Sequence, residues 1–590
     1  MEFEDIDALV AAPPRRGGQP ALAYGVVRDG ELVHAGGLGE CQAGTGTPPD
    51  QDTVFRIASM TKSFTAAAVL MLRDEGALAL DDLAEEFVPE LRGWPPVTAD
   101  AARVSIRHLL TMTAGFPTDD PWGDRQQGLP LDEFATFLAG GVNFAWAPGT
   151  RFEYANLGYA ILGKIITAAA KTPYPEFVRD RLLRPLGMTR SGYEAADAAG
   201  AAGAAGAAGA GAAGGSGLAL GYRRAPAGWE EVPLEPYGAF APMGGLFTCV
   251  SDLARWVAGL AAAYPPGSGG GEHPLRHASR REMQLPQVPT GWDAPASFPP
   301  DGAVTAYGFG LSITDDPAAG RTVGHGGGYP GFGSYMRWQP ATGTGVIAFG
   351  NSTYARMQPL TAKLLSALSQ RKAVPRTALA PARQPWPETL AARDAVSKLL
   401  ASWDDDTADR LFTPNVGQDI PFAERLQAIA LVRERIGEFR DADQWRAPEF
   451  DSPAHCRWWL AGETTGPGGP AAVQVQILLT PERPPRVQSL TLAVPPAPGS
   501  PLHQAVSEIV AWMNGTGPAP RTDAAVQRRL KAAAAWAGQC RQAGYAAGDG
   551  STSVTVELAG EHAALTLSVA IDPATNHLRQ VDVTWRPASS

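Results

Sequence analysis

The placement of strand signals does most to constrain how this chain folds. Ala21–Arg28 reads as a strand, Asp29-Gly30 is a hairpin-turn dipeptide, and Glu31–Gly36 reads as the returning strand. A long, mostly helical region then runs from residue 59 to residue 190, with helical patterns at Ile106–Met112, Asp132–Leu138 and Asn156–Ala169. Strand signals return at Tyr307–Thr314, Arg321–His325, Phe332–Gln339 and Thr344–Gly350, and a helix from Met357 to Arg371 closes the region. A chain with strands at both ends and helices between them is expected to build one sheet from its two ends. Helices then cover that sheet, and the remainder forms a helical subdomain.

At 590 residues the chain is too long for one hydrophobic core. The first domain is expected over residues 1–372. Residues 373–389 carry Pro375, Pro381, Pro385 and Pro387 and read as an extended linker. Beyond it lies an apparent duplication of an α+β unit, over residues 390–495 and 501–590. The first copy shows helices at Leu390–Trp403 and Ala423–Phe439 and strands at Ala472–Leu479 and Val487–Val494. The second shows helices at Leu502–Met513 and Ala524–Ala543 and strands at Ser553–Leu558, Ala564–Ile571 and Gln580–Trp585. Residues 198–215 are nearly pure Ala and Gly, which specifies no strong local structure and reads as a loop.

The richest chemistry lies at the start of the helical region. Ser59-Met60-Thr61-Lys62 precedes an almost wholly apolar run through Leu72. A serine and a lysine three apart share one helix face. A lysine on a buried helix is costly unless it has a partner, and burial depresses its pKa towards that of a usable base. The chain holds 49 basic residues, of which only seven are lysines. Ser-x-x-Lys alone is still a weak pattern. Ser369-Gln370-Arg371-Lys372 repeats it at what reads as a solvated helix end.

Two further segments carry candidate groups. Tyr154-Ala155-Asn156 follows a Pro148-Gly149 turn and opens a helix. Asparagine there reads as an N-cap, and a phenol at a helix start is able to relay a proton. His325-Gly326-Gly327-Gly328 reads as a loose turn or as backbone that a ligand approaches closely. His34-Ala35-Gly36 shows that His-x-Gly by itself means little.

Taken in order, Ser-x-x-Lys, Tyr-x-Asn and His-x-Gly over roughly residues 10–370 resemble the serine β-lactamase and penicillin-binding protein superfamily. The likeness is closest to class C β-lactamases and their D-alanyl-D-alanine peptidase, D-aminopeptidase and esterase relatives. Leu109–Gly115, Pro242–Leu246 and Ser251–Arg255 support it. The resemblance implies a β-lactamase/transpeptidase-like α/β (α+β) domain: an antiparallel sheet with flanking helices and a helical subdomain. It implies that Ser59 is a nucleophile forming an acyl-enzyme, that Lys62 is its proton partner, and that Tyr154 relays protons. Asn156 would orient Lys62 and the substrate, and the N–H groups of Ser59 and Gly328 would form an oxyanion hole. Gly326 and Gly327 would line the substrate strand. Whether Lys62 or Tyr154 takes the serine proton stays open.

One departure stands out. His325 occupies the place of a family lysine whose fixed charge would meet a substrate carboxylate, and histidine is largely neutral near pH 7. That shifts the expectation from β-lactams towards esters, D-amino-acid amides or short peptides. The leading expectation is a serine hydrolase. An acyltransferase or peptide cyclase shares its first half-reaction, and a non-catalytic binder or sensor on the same scaffold is the third reading.

The composition excludes some classes. Net charge is −11 and no basic run is present, so neither a nucleic-acid nor a membrane-surface role is expected. The N-terminus lacks a secretory pattern, and no run is apolar enough to span a bilayer, so a cytoplasmic location is expected. Cys41, Cys249, Cys456 and Cys540 are far apart and read as packed free thiols. His455, His503, His562 and His577 are scattered. Neither metal nor other cofactor is expected, and the expected partner is a small-molecule or short-peptide acyl substrate.

Overall fold

The strand signals at the two ends of the first 370 residues meet in one sheet. In the computed structural model, residues 3–11, 19–200, 217–225, 228–264, 272–290, 304–316, 320–369, 384–441, 447–466, 469–561 and 564–586 are described. The sheet has eight strands: β1 (Ala21–Arg28), β2 (Glu31–Gly39), β3 (Val288–Pro289), β4 (Val304–Tyr307), β5 (Ser312–Asp316), β6 (Gly320–Tyr329), β7 (Phe332–Gln339) and β8 (Thr344–Gly350). Their order is β2-β1-β8-β7-β6-β5-β4-β3, with every paired register antiparallel. β1 and β8 pair from Leu22↔Gly350 to Val27↔Gly345, which joins the N-terminal hairpin to the C-terminal strands. Seven of the eight residues of β1 are buried and all seven of β8 are, as befits central strands covered on both faces.

The chain divides into two compact units, Met1–Leu379 and Ala380–Ser590. In the first, the helix α1 (Thr61–Asp74) is buried from Thr61 to Leu72. Buried on every side, it lies inside the core, with Thr61, Lys62, Ser63 and Thr65 as its polar members. Phe64 stacks on Trp256 with ring centroids 4.2 Å apart, and the Trp256 indole N–H donates to Ser63 Oγ at 3.1 Å. The helix α2 (Asn156–Ala170) lies against α1, with Asn156 through Gly163 all buried.

Several sequence expectations change in detail. Tyr307–Thr314 is two strands, β4 and β5, joined by a turn in which the Gly308 N–H donates to Leu311 O at 2.8 Å. The His325–Gly328 run is strand rather than turn, because β6 continues to Tyr329 and pairs with β7 over its whole glycine stretch. Asn156 is not an N-cap: Ala155 holds that position without a side-chain cap, and Asp119 caps the helix from outside. The Ala/Gly run from 201 to 215, the linker from 373 to 383, Lys372 and His562 lie outside the described residues.

The second unit holds two hydrophobic clusters, one over residues 392–494 and one over 502–581. Each is a set of helices followed by an antiparallel meander, ordered by sequence over His455–Gly466, Gly469–Leu479 and Val487–Ala493 in one and over Arg541–Arg586 in the other. His455–Gly466 is a strand that sequence reading passed over. Its inward residues Cys456, Trp458 and Leu460 alternate with Arg457 and Trp459. The helix expected over Ala524–Ala543 stops at Ala537, where Gly538 takes φ +73°, and Arg541–Ala547 becomes a strand. The four cysteines are buried, and none is in a disulfide. Among the described residues, no helix is long and apolar enough to cross a membrane and no cluster of His, Cys, Asp or Glu could hold a metal ion.

Candidate active site

Ser59 sits on a short 3₁₀ turn, Ala58–Met60, that runs directly into α1. Ala58 adopts φ +47°, a left-handed conformation that costs an alanine about 1 kcal/mol or more. The turn is fastened on two sides. Thr61 Oγ1 donates to Ala58 O at 2.7 Å and accepts from Leu246 N at 3.1 Å, and Ser334 Oγ donates to Ile57 O at 2.8 Å. β6 presses against it: a Cβ on Gly327 would lie 2.1 Å from Ile57 O, so only glycine fits there.

Lys62 follows one helical turn later and is wholly buried. Its ammonium donates to Ser59 Oγ at 2.9 Å, Asn156 Oδ1 at 2.7 Å and Met243 O at 2.9 Å. Those three acceptors use all three of its protons. Burial lowers its pKa to about 8, with Asp120, Asp124 and Asp119 pulling the other way. The Ser-x-x-Lys pattern therefore places a hydroxyl beside an amine that can lose its proton near physiological pH.

Tyr154 is delivered by an irregular segment held at two points by Met112. Glu153 N donates to Met112 O at 2.9 Å, and Ala155 N to Met112 Sδ at 3.5 Å. The Tyr154 hydroxyl lies near Ser59, and its ring lies 4.9 Å from Lys62 Nζ. Burial, with Asp120 nearby, raises its pKa well above the ordinary phenol value, so it is a neutral phenol. Asn156 is fixed from both ends of its carboxamide: Oδ1 accepts from Lys62, and Nδ2 donates to Asp120 Oδ1 at 2.7 Å.

His325 is buried behind Tyr154, with ring centroids 6.3 Å apart. Its Nδ1 is 2.6 Å from Gly326 O, and the tautomer that donates there leaves Nε2 to accept from the Tyr307 hydroxyl at 3.1 Å. Burial, then the charge of Lys62, lowers its pKa to about 3, so the ring is neutral. β6 pairs with β5 only through Gly324, so from His325 to Gly328 that edge runs alongside the Ser59 turn instead of a neighbouring strand. Ser59, Lys62, Tyr154, Asn156 and His325 are thus brought together from three distant stretches of chain, with Gly326, Gly327 and Gly328 along one wall. His34 lies elsewhere, with its Nε2 2.6 Å from Asp7.

Sequence reading missed the acidic side of the site. Asp119 accepts from the first helical N–H groups of α2, Asn156 N at 2.6 Å and Leu157 N at 2.9 Å. Asp120 orients Asn156. Asp124 accepts from the Tyr354 hydroxyl at 2.9 Å, and burial raises its pKa to about 6. Asp119-Asp120-Pro121 is visible in the sequence as a helix-start pattern, yet nothing local aims it at a lysine 57 to 58 residues upstream. Tyr307 and Tyr159, which surround the histidine and lysine, carry no sequence signal beyond ordinary core aromatics.

Comparison with known proteins agrees with this geometry. A family model described as Beta-lactamase matches residues 6–369. Esterase EstB of Burkholderia gladioli is 29% identical over 377 residues, covering 59% of this chain and 90% of the esterase. Protein flp of Staphylococcus aureus (strain NCTC 8325 / PS 47) is 28% identical over 193 residues, so the match spans only 38% of that protein and 32% of this one. Among solved structures, the octameric penicillin-binding protein homologue from Pyrococcus abyssi shares the fold with a TM-score of 0.51 at 19% identity, over 99% of both chains. With the family match spanning well over half its length, and Ser59, Lys62, Tyr154 and Asn156 assembled around one cleft, this chain belongs to the β-lactamase family.

Proposed function

We propose that this protein is a serine hydrolase that forms an acyl-enzyme on Ser59 from an ester or amide. The observation that carries this reading is the 2.9 Å contact between Ser59 Oγ and a buried lysine whose pKa is lowered to about 8. An amine with that pKa is neutral in roughly a tenth of molecules at pH 7, whereas a phenol well above 10 is almost never a phenolate. Lys62 is therefore the base of the resting site, and Tyr154 acts as a neutral relay.

The contacts support the following steps. Ser59 Oγ attacks the carbonyl carbon and passes its proton to neutral Lys62. The carbonyl oxygen becomes an oxyanion, met by the N–H groups of Ser59 and Gly328. Collapse expels the alcohol or amine, which takes its proton from Lys62 through the Tyr154 hydroxyl. Water then repeats the sequence on the acyl-enzyme, releasing the acid and restoring Ser59.

The substrate side follows from His325. A neutral ring that is satisfied by Tyr307 and Gly326 offers no cation to a carboxylate. This favours esters and D-aminoacyl amides over β-lactams, and the likeness to a protein named as an esterase supports the same choice. The test is intact-mass detection of an adduct from a fluorophosphonate or p-nitrophenyl ester. The adduct is expected on wild type and not on Ser59→Ala; equal labelling of both refutes the reading. A panel of esters, D- and L-aminoacyl amides and cephalosporins, run with and without an added amine, identifies the substrate class and the acyl acceptor.

A further inference from the structure

The cleft has two walls. One is β6 at Gly327 and Gly328. The other is the short helix Asp120–Gly123, packed on Asn156 so closely that a Cβ on Gly123 would lie 3.0 Å from Asn156 Cβ. Ser59 lies between them and is 8% exposed.

A single side chain connects these walls. The Tyr354 ring covers Gly328, with its Cδ1 2.9 Å from where a Gly328 Cβ would stand. Its hydroxyl donates to Asp124 Oδ2 on the opposite wall at 2.9 Å. Tyr354 is 47% exposed, so no core burial holds it there. It also adopts φ +52°, an unfavourable conformation for an aromatic residue. Two backbone hydrogen bonds hold that conformation, from Tyr354 N to Phe332 O at 3.1 Å and to Tyr329 O at 3.3 Å. A strained, exposed aromatic anchored at both ends has a cost that ordinary surface packing does not repay.

The direction of the substrate follows from where its protons must come from. The leaving group needs a proton from Lys62 through Tyr154, and Tyr154 lies beside His325 and Tyr307. Tyr354 covers Gly328, three residues further along β6, roughly 10 Å away at about 3.3 Å per residue. The leaving group therefore occupies the His325 end and the acyl chain runs towards Tyr354.

We propose that Tyr354 and Asp124 form a crossbar over the acyl end of the cleft, which makes this enzyme select short acyl groups over long ones. The proposal rests on the serine-hydrolase reading above. It assigns Tyr354 as a specificity-determining residue and Asp124 as the residue that positions it.

The test compares kcat/KM for p-nitrophenyl acetate and p-nitrophenyl hexanoate in wild type, Tyr354→Ala, Tyr354→Phe and Asp124→Ala, with melting temperatures to establish folding. Tyr354→Ala is expected to raise the hexanoate-to-acetate ratio at least tenfold. Tyr354→Phe and Asp124→Ala keep the ring but free it, and are expected to raise the ratio by a smaller factor. The ratio of p-nitrophenyl acetate to phenyl acetate, which varies only the leaving group, is expected to stay within twofold. A hexanoate-to-acetate ratio unchanged in Tyr354→Ala, with Ser59 still acylated, overturns the crossbar alone. A shift confined to the leaving-group ratio overturns the orientation. An absence of any Ser59 adduct in wild type refutes the hydrolase reading itself, and the crossbar with it.

Discussion

Replacing Asp120 by asparagine separates two jobs that one carboxylate performs. It holds the Asn156 carboxamide through a 2.7 Å hydrogen bond, and it places negative charge one carboxamide away from Lys62. Asparagine still accepts from Asn156 Nδ2, so Asp120→Asn keeps the orientation and removes the charge. With a 2.7 Å hydrogen bond on either side of one carboxamide, the two charges lie roughly 6 Å apart, worth about 3 kcal/mol at an effective dielectric near 20, or about two pKa units. Asp120 raises the Lys62 pKa, so its loss must lower it further below the value of about 8. The pH profile of kcat/KM for an activated ester is expected to rise with pH in wild type, as Lys62 loses its proton, with a midpoint near 8. In Asp120→Asn that limb is expected to move about two pH units lower, while the plateau falls because a less basic amine is a weaker base. Asp120→Ala is expected to lose the plateau more severely, since it also frees the carboxamide to turn. A limb that stays at its wild-type pH in Asp120→Asn, or moves upward, refutes both the assignment of Lys62 as base and the electrostatic role of Asp120.

Other consequences are equally open to measurement. Lys62→Met is expected to slow Ser59 acylation by a thousandfold or more in stopped-flow assays, and to lower the melting temperature, because Asn156 Oδ1 and Met243 O lose their buried donor and the neighbouring aspartates lose their counter-charge. His325 is expected to remain neutral with its proton on Nδ1 from pH 5 to 8, so nitrogen-15 imidazole spectra that show an imidazolium anywhere in that range contradict the structure. Gly327→Ala forces a methyl group to 2.1 Å from Ile57 O and displaces the turn that carries Ser59. A loss of about 100-fold in turnover is expected for a shift of an ångström, and wild-type rates from a normally folded variant would contradict that geometry.

How far the sequence could be read depended on the range of each signal. Asp29-Gly30 specified its hairpin because turn chemistry is local, and the apolar run after Lys62 specified a buried helix because periodicity is local too. Ser59, Lys62 and Tyr154 were legible because their motifs come in a fixed order. What escaped were effects set by neighbours distant in sequence. The glycines after His325 look like a turn, yet β7 pairs with them residue for residue and makes them a strand. Asn156 looks like a cap, yet Asp119 reaches in from a loop and frees its carboxamide to bind Lys62. In the second unit, alanines after Gly538 resemble more helix, and only the turn at that glycine and the pairing of Arg541–Ala547 with Ser553–Ala559 decide otherwise.

The pairing of β1 with β8 also governs when this protein comes into being. Leu22 cannot meet Gly350 until the more than 300 residues between them have been made. Ser59 and Lys62 are made long before the strand that carries His325 to Gly328, so a nascent chain holds these two residues without the strand they pack beside in the folded protein. At about 5–20 residues per second, translation from Leu22 to Gly350 takes roughly 15 to 65 seconds, during which β1 lacks the edge it is built to fill. Closure across such a separation is a slow, high-contact-order event. The burial of nearly every residue of β1 and β8 is then an obligation that the growing chain carries until β8 is made.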